Sequence, residues 1–305
     1  MIPNDSVRPV DPTGYFTYQN PDLYHCDWKT FYDSSLTDRE QVRALFPHEE
    51  NVKYGPDPYQ ILNVYYREDL TACPVIVYFH GGRWREGHPA FYDHLAAPWV
   101  ERGAVFVSCG YRLAPEHTIA DAADDASTAI NWVAANCETY GGDPQRLFAA
   151  GHSAGGHIAA MATLTDWPSA RGLGSVSVAG LLAMSAPCDL AAFGEPDCEE
   201  MSPNRLITRT PPAVLVSFGD PEPNHKQQSG SLLTEHGRLL VESLERAGAS
   251  PTTVVLYGTD HIDTATAFAD LTSPLFHEAS RIIFDKGATR RPDSDIKTYL
   301  HPGPA

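Results

Sequence analysis

Ten residues, Leu147-Phe148-Ala149-Ala150-Gly151-His152-Ser153-Ala154-Gly155-Gly156, carry the tightest constraint on how this chain can fold. An apolar run suited to a strand meets G-x-S-x-G and then small residues suited to a helix, so the chain must reverse within a few residues. The central residue is forced into a strained backbone conformation. Glycines flank it because a Cβ at those positions would meet the adjacent strand or helix. Such a turn lifts the Ser153 hydroxyl clear of a sheet and sets the Ala154 N–H at a helix N-terminus, where developing negative charge is stabilised. The bare pattern also fits a glycine-rich turn with a surface serine. The strand before it and the helix after it favour a nucleophile.

The turn belongs to a longer alternation. Residues 61–66 alternate like a strand, and 74–79 form a continuous apolar run that stops at His80-Gly81-Gly82. Further strands are expected over 104–109, 147–150, 178–184, 214–218 and 252–257, and helices over 91–102, 119–140, 154–164, 231–247 and 264–284. Short continuous apolar runs are the mark of strands buried on both faces. Strand and helix in this rhythm predict an α/β fold, a mostly parallel central sheet with helices on both faces. Its ligands collect beyond the carboxyl ends of the strands. The alternation spans 56–286 as one catalytic domain. Residues 1–55 are rich in Pro, Asp and aromatics (Tyr15, Phe16, Tyr18, Tyr24, Trp28, Phe31, Tyr32) without a clean period. They are expected to wrap the body as an N-terminal capping arm. Residues 287–305 are expected to be a loose polar tail.

Composition removes whole classes of function. The 305 residues, 42% of them hydrophobic, suffice for a sizeable core. Against 22 basic side chains stand 39 acidic ones, a formal charge of −17, which repels nucleic-acid phosphates and anionic lipid. No apolar run approaches the ~18 residues of a membrane span, and residues 1–10 lack the basic and apolar regions of a secretory signal. The cysteines at 26, 73, 109, 137, 188 and 198 form no C-x-x-C pair and read as reduced thiols. A cytoplasmic protein acting on a small molecule is expected, without nucleic-acid or membrane partners, and with a homodimer left open.

A serine on such a turn needs oxyanion donors, a base and an acid. The buried run 74–79 ends in His80-Gly81-Gly82-Arg83-Trp84, where glycines let the backbone approach a substrate. The N–H groups of Gly82 and Arg83 are expected to join that of Ala154 in an oxyanion hole, each donor worth ~3 kcal/mol of barrier. His80 reads as a structural support of that loop. The base and acid belong on loops after later strands. His261 follows the last strand and is the expected base, whereas His152, His157, His236 and His277 read as structural. Asp220, ending the strand 214–218 in Gly-Asp, is the expected acid, with Glu222 and Asp189 as competitors. No H-E-x-x-H or Cys/His ligand cluster appears, and Gly172-Leu173-Gly174-Ser175-Val176-Ser177 lacks the last glycine of a dinucleotide loop, so neither metal nor cofactor is expected. Arg83 and Arg85 beside the glycine loop fit either a substrate carrying a carboxylate or solvated surface charge.

The motifs HGGRW (80–84), YRLAPE (111–116), GGD (141–143), GHSAGG (151–156), FGDPEPNHKQQS (218–229) and TDHIDT (259–264) resemble those of the α/β-hydrolase superfamily. Within it they are similar to kynurenine formamidase-like (arylformamidase-like) esterases. The resemblance implies the α/β-hydrolase fold and the triad Ser153, Asp220 and His261. It also implies the oxyanion donors Gly82, Arg83 and Ala154, with Trp84 and Arg83 lining the substrate pocket, and hydrolysis of a small ester or aryl-formamide without a cofactor. Hormone-sensitive-lipase-like carboxylesterases share YRLAPEH but show a third glycine where this chain has Arg83. An acyltransferase or lyase, or a non-catalytic binding protein on the same fold, is the alternative from another class.

Overall fold

The structure, a computed structural model, describes residues 24–193, 199–226, 228–285 and 297–300. The apolar runs pair into one sheet. Its strands are β1 (His48–Lys53), β2 (Ile61–Tyr65), β3 (Cys73–Phe79), β4 (Val105–Cys109), β5 (Gly142–His152), β6 (Gly180–Met184), β7 (Ala213–Asp220), β8 (Thr252–Tyr257) and β9 (Lys297–Leu300). Their spatial order is β1-β2-β4-β3-β5-β6-β7-β8-β9. The β1–β2 and β2–β4 pairs are antiparallel and every other pair is parallel. β3, an interior strand between β4 and β5, is buried along its whole length, as its unbroken apolar run requires.

Helices cover the sheet: α1 (Trp28–Leu45), α2 (Ala96–Glu101), α3 (Ile119–Asn136), α4 (Ala154–Leu164), α5 (Trp167–Ala170), α6 (Pro203–Leu206), α7 (Leu232–Arg246), α8 (His261–Thr266) and α9 (Pro274–Phe284). α3 starts at a capping box in which Thr118 and Asp121 bond each other's backbone N–H. Its buried Asp125 grips Arg112 at both backbone and guanidinium and also takes an amide N–H of Gln60. That pins the 111–116 segment against the sheet. Trp99 of α2 packs on Phe268 and Phe276, each ring centroid 4.7 Å away, and so ties α2 to α9 and the segment before it. No described helix is long and apolar enough to cross a membrane.

Four expectations change. The described part of the arm, residues 24–55, is more ordered than its composition suggests: α1 buries Phe31 and Tyr32, and β1 adds an edge strand. The helical period of α1 is hard to see because few of its side chains face inward. Its anchor is polar. Arg39 reaches the buried carboxylate of Asp93 at 3.0 Å, and Asn63 and Tyr65 donate to the same oxygen. The helix expected over 264–284 is two helices, α8 and α9, because Pro274 cannot continue a preceding helix and instead occupies the first turn of α9 behind the Ser273 cap. The helix expected over 91–102 begins instead as two tight turns, Pro89–Phe91 and Asp93–Leu95. Within the expected tail, residues 297–300 pair parallel to β8 as β9. Tyr15, Phe16, Tyr18 and Cys198 lie outside the described residues; the other five cysteines are buried free thiols.

Candidate active site

β5 ends in the turn that the glycine pattern predicts. Ser153 has φ 54° and ψ −123°, a strained conformation, and caps α4. The glycines explain themselves by what a methyl group would meet. On Gly155 it would lie 2.0 Å from the Phe79 carbonyl oxygen, and on Gly151 it would lie 2.4 Å from the Gly155 carbonyl carbon. The turn is tied down on both sides: the Ser153 N–H donates to Met184 O of β6, and the His157 N–H donates to Ser153 O.

The Ser153 hydroxyl donates to His261 Nε2 at 3.0 Å, and His261 Nδ1–H donates to Glu222 Oε1 at 2.5 Å. His261 opens α8, whose N-terminus is fixed by a capping box between Asp260 and Asp263, and its N–H reaches Pro223 O. Serine, histidine and glutamate are all buried. Glu222, not Asp220, is therefore the acid on the imidazole. Its second oxygen accepts from the Gly219 N–H at 2.7 Å and from Ser185 Oγ at 3.0 Å, so a buried carboxylate meets donors at both ends. Asp220 turns outward to the half-exposed Arg238 at 2.6 Å. Asp189 pairs with Arg205.

The reason for the exchange is geometric. The chain bends at Pro221, and Glu222 folds back over the strand end, where a Cβ on Gly219 would sit 3.0 Å from Glu222 Cβ. Gly219 was the available sequence signal: a glycine before the strand's last carboxylate leaves room for the next one.

The oxyanion loop follows β3. Gly82 (φ +124°), Arg83 (φ 54°) and Trp84 (φ 59°) all adopt the left-handed region, and a Cβ on Gly82 would fall 2.2 Å from Glu86 O. The loop is closed by the Arg85 and Glu86 N–H groups, both donating to Gly82 O. Among the described residues, neither Gly82 nor Arg83 gives its own N–H to a backbone carbonyl, which leaves both donors for a ligand. Behind the loop, the Tyr111 hydroxyl donates to His80 O and its ring stacks on the His80 imidazole at 4.4 Å. Burial pushes the His80 pKa down to about 4, so the imidazole is neutral there.

Trp84 departs from its expected place in the substrate pocket. Its indole is buried in the core and donates to Nδ1 of His157 at 3.2 Å, while His157 Nε2–H donates to Met201 O. The pair fixes the loop to α4. Burial also brings the His157 pKa down to about 4. His236 accepts backbone N–H bonds from Cys188 and Asp189, a structural task, and His277 lies within α9. Arg85 is exposed.

Several contributors carry no sequence signal. Thr264 Oγ1 links His152 Nε2 (3.1 Å), Ser185 Oγ (2.9 Å) and the His261 carbonyl (3.0 Å), and the His152 ring lies 4.4 Å from that of His261. Burial holds the His152 pKa well below the ordinary histidine range, with the neighbouring His261 acting the same way. His152, Glu222 and His261 bring ligand atoms within 4.8 Å of one another. Their facing atoms are already engaged, by Thr264 on His152 and by the Glu222–His261 bond itself. The segment before α1 lies along the acid loop: His25 N–H donates to Asn224 O, Trp28 Nε1–H to the Asn224 side chain, and the Trp28 ring meets His261 edge-on at 5.8 Å. A cavity of about 410 Å³ between α1 and residues 266–270 contains none of these groups.

A family model described as alpha/beta hydrolase fold matches residues 76–262. The chain is 38% identical over 123 residues to esterase LipC of Mycobacterium tuberculosis, covering 39% of this chain and 30% of that protein. It is 47% identical over 89 residues to carboxylesterase NlhH of the same organism, covering 29% and 28%. The chain thus aligns with less than a third of either relative's length. Among solved structures, a hyperthermophilic esterase from Pyrobaculum calidifontis superposes with a TM-score of 0.61 at 26% identity, over 76% of this chain and 83% of that one.

Proposed function

The chain belongs to the α/β-hydrolase fold family, and from that premise we propose that it is a serine esterase that cleaves small carboxylic esters through an acyl-enzyme on Ser153. One observation carries the reading: a serine hydroxyl on a strained turn, 3.0 Å from an imidazole whose far nitrogen is held 2.5 Å from a buried carboxylate. In this mechanism Ser153 Oγ attacks the ester carbonyl while its proton passes to His261 Nε2. Glu222 keeps the imidazole in the Nδ1–H tautomer and stabilises the imidazolium. The carbonyl oxygen, now an anion, is received by the N–H groups of Gly82, Arg83 and Ala154. His261 returns the proton to the departing alkoxide. It then takes one from water as the water oxygen attacks the acyl carbon, and passes it to Ser153 Oγ as the acyl–Ser153 bond breaks and the acid is released. Similarity to named esterases supports the same reaction class.

An aryl-formamide as the scissile group is a second reading. It draws on the kynurenine formamidase-like motifs and on Tyr24 and Trp28, two aromatic side chains brought beside His261 and the acid loop. A panel of p-nitrophenyl esters of two to eight acyl carbons, run beside N-formylkynurenine, separates the two. Ester turnover that exceeds formamide turnover supports the first reading, and the reverse supports the second. Ser153→Ala should lower kcat on the order of 10⁴-fold or more on either substrate; turnover that survives it overturns the mechanism.

A further inference from the structure

Of this chain's arginines, Arg39, Arg112, Arg171, Arg205, Arg238 and Arg281 each pair with a carboxylate, as expected where acids outnumber bases 39 to 22. Arg83 does not. It is half-buried, and among the described residues no acid comes within ion-pair distance of its guanidinium. Among the described residues its hydrogen bond is a long one, Nη1 to the Tyr24 hydroxyl at 3.5 Å. A guanidinium carries five N–H donors in a planar fork suited to a carboxylate, and partial burial without an anion leaves that capacity unused.

The position of this arginine matters as much as its missing partner. Its backbone N–H belongs to the oxyanion loop, so its side chain starts beside the reacting carbonyl. Tyr24 comes from the arm and bridges His225, three residues after Glu222, with ring centroids 5.0 Å apart. Three separate segments therefore converge on one point: the oxyanion loop, the arm and the acid loop. Both neighbours feel the cation. Arg83 holds the His225 pKa down alongside burial, and it opposes the rise that burial imposes on the Tyr24 phenol. Glu86 also acts on that phenol, less strongly than Arg83.

We propose that Arg83, Tyr24 and His225 form an anion subsite beside Ser153, and that the preferred substrates are esters carrying a free carboxylate in their acyl or leaving group. This rests on the esterase reading above and names its substrate class. The guanidinium would take the carboxylate in its fork, with the Tyr24 hydroxyl as a further donor. A charge-assisted contact of this kind favours the anionic substrate about 10- to 100-fold.

The test is a matched pair, p-nitrophenyl hydrogen glutarate and p-nitrophenyl methyl glutarate, which differ only in the distal carboxylate. Wild type should show kcat/KM at least about tenfold higher for the acid. Arg83→Gln should lower that ratio at least about tenfold, through KM for the acid, and Arg83→Lys should restore part of it. Tyr24→Phe should lower it about two- to threefold. A wild-type preference for the methyl ester, or an Arg83→Gln ratio equal to wild type, overturns the subsite while leaving the esterase reading intact. If wild type cleaves neither ester, the esterase reading fails instead. Calorimetric titration of monomethyl glutarate then reads the subsite without turnover. Weaker binding to Ser153→Ala/Arg83→Gln than to Ser153→Ala supports it, and equal binding refutes it.

Discussion

The turn at Ser153 and the loop at Glu222 end strands β5 and β7, which flank β6, yet they hold their side chains by opposite means. The turn is held by exclusion. Backbone lies against backbone so closely that a methyl on Gly155 would sit 2.0 Å from Phe79 O. The loop is held by attraction. Glu222 is kept in place by the Gly219 N–H, the Ser185 hydroxyl and the His261 imidazole, groups from three different segments. β6 serves both sides: its Met184 carbonyl receives the Ser153 N–H, and Ser185 just beyond it donates to Glu222. A turn built by steric exclusion leaves no room for a methyl at its glycines, whereas a carboxylate held by hydrogen bonds can be loosened one donor at a time.

The largest expected effect separates the two carboxylates of the loop. Glu222→Gln should cost about 10³- to 10⁴-fold in kcat with the fold retained, because the amide no longer enforces the tautomer or the imidazolium. Asp220→Asn, removing only a half-exposed pair with Arg238, should stay within about threefold. A reversal of the two in steady-state kinetics would put the acid back on Asp220.

Next comes the contrast between the glycines. Gly155→Ala should destabilise the protein by about 3 kcal/mol or more in denaturant titration, since the obstacle is backbone. Gly219→Ala meets side chains at 2.9 Å or more, Thr259 Oγ1 and Glu222 Cβ, which can give. It should cost about 1 kcal/mol of stability while displacing Glu222 enough to lower kcat about tenfold or more. Equal loss of stability in the two variants would erase the distinction between exclusion and attraction.

The smallest effect is one of pH. His80 and His157 support the oxyanion loop and α4 as neutral imidazoles, with pKa values lowered by burial to about 4. In the unfolded chain each takes a proton near pH 6.5, so the stability they hold is complete above that pH and is lost as pH falls from about 6.5 to 4. Asp93 acts in the opposite sense: burial raises its pKa to about 6, so it favours the folded state as pH falls toward 4. His94 and His152, also lowered by burial, act in the same sense as His80 and His157, so four histidines outweigh one aspartate and stability falls with pH over this range. Chemical denaturation at pH 7, 6 and 5 measures that slope; stability that is flat or rises toward pH 5 would contradict it.

What local sequence could and could not carry follows from the same contrast. The nucleophile turn, the alternating strands and helices, and the place of His261 after β8 all depend on neighbours within a few residues. Glycine spacing and apolar runs therefore displayed them. The α1 helix escaped because its anchor is a polar contact between Arg39 and Asp93, 54 residues apart. Trp84 was drawn into the pocket by motif alone. Its actual partner, His157, lies 73 residues away on α4.

By itself the sequence determined a mostly parallel sheet and a serine strained at the end of one of its strands, because steric exclusion acts between residues close along the chain. Tertiary structure alone decided which carboxylate meets the imidazole and which side chains gather around Arg83. Hydrogen bonds and charges are settled by distance in space, and β6, the acid loop and the arm meet only once the sheet has closed around them.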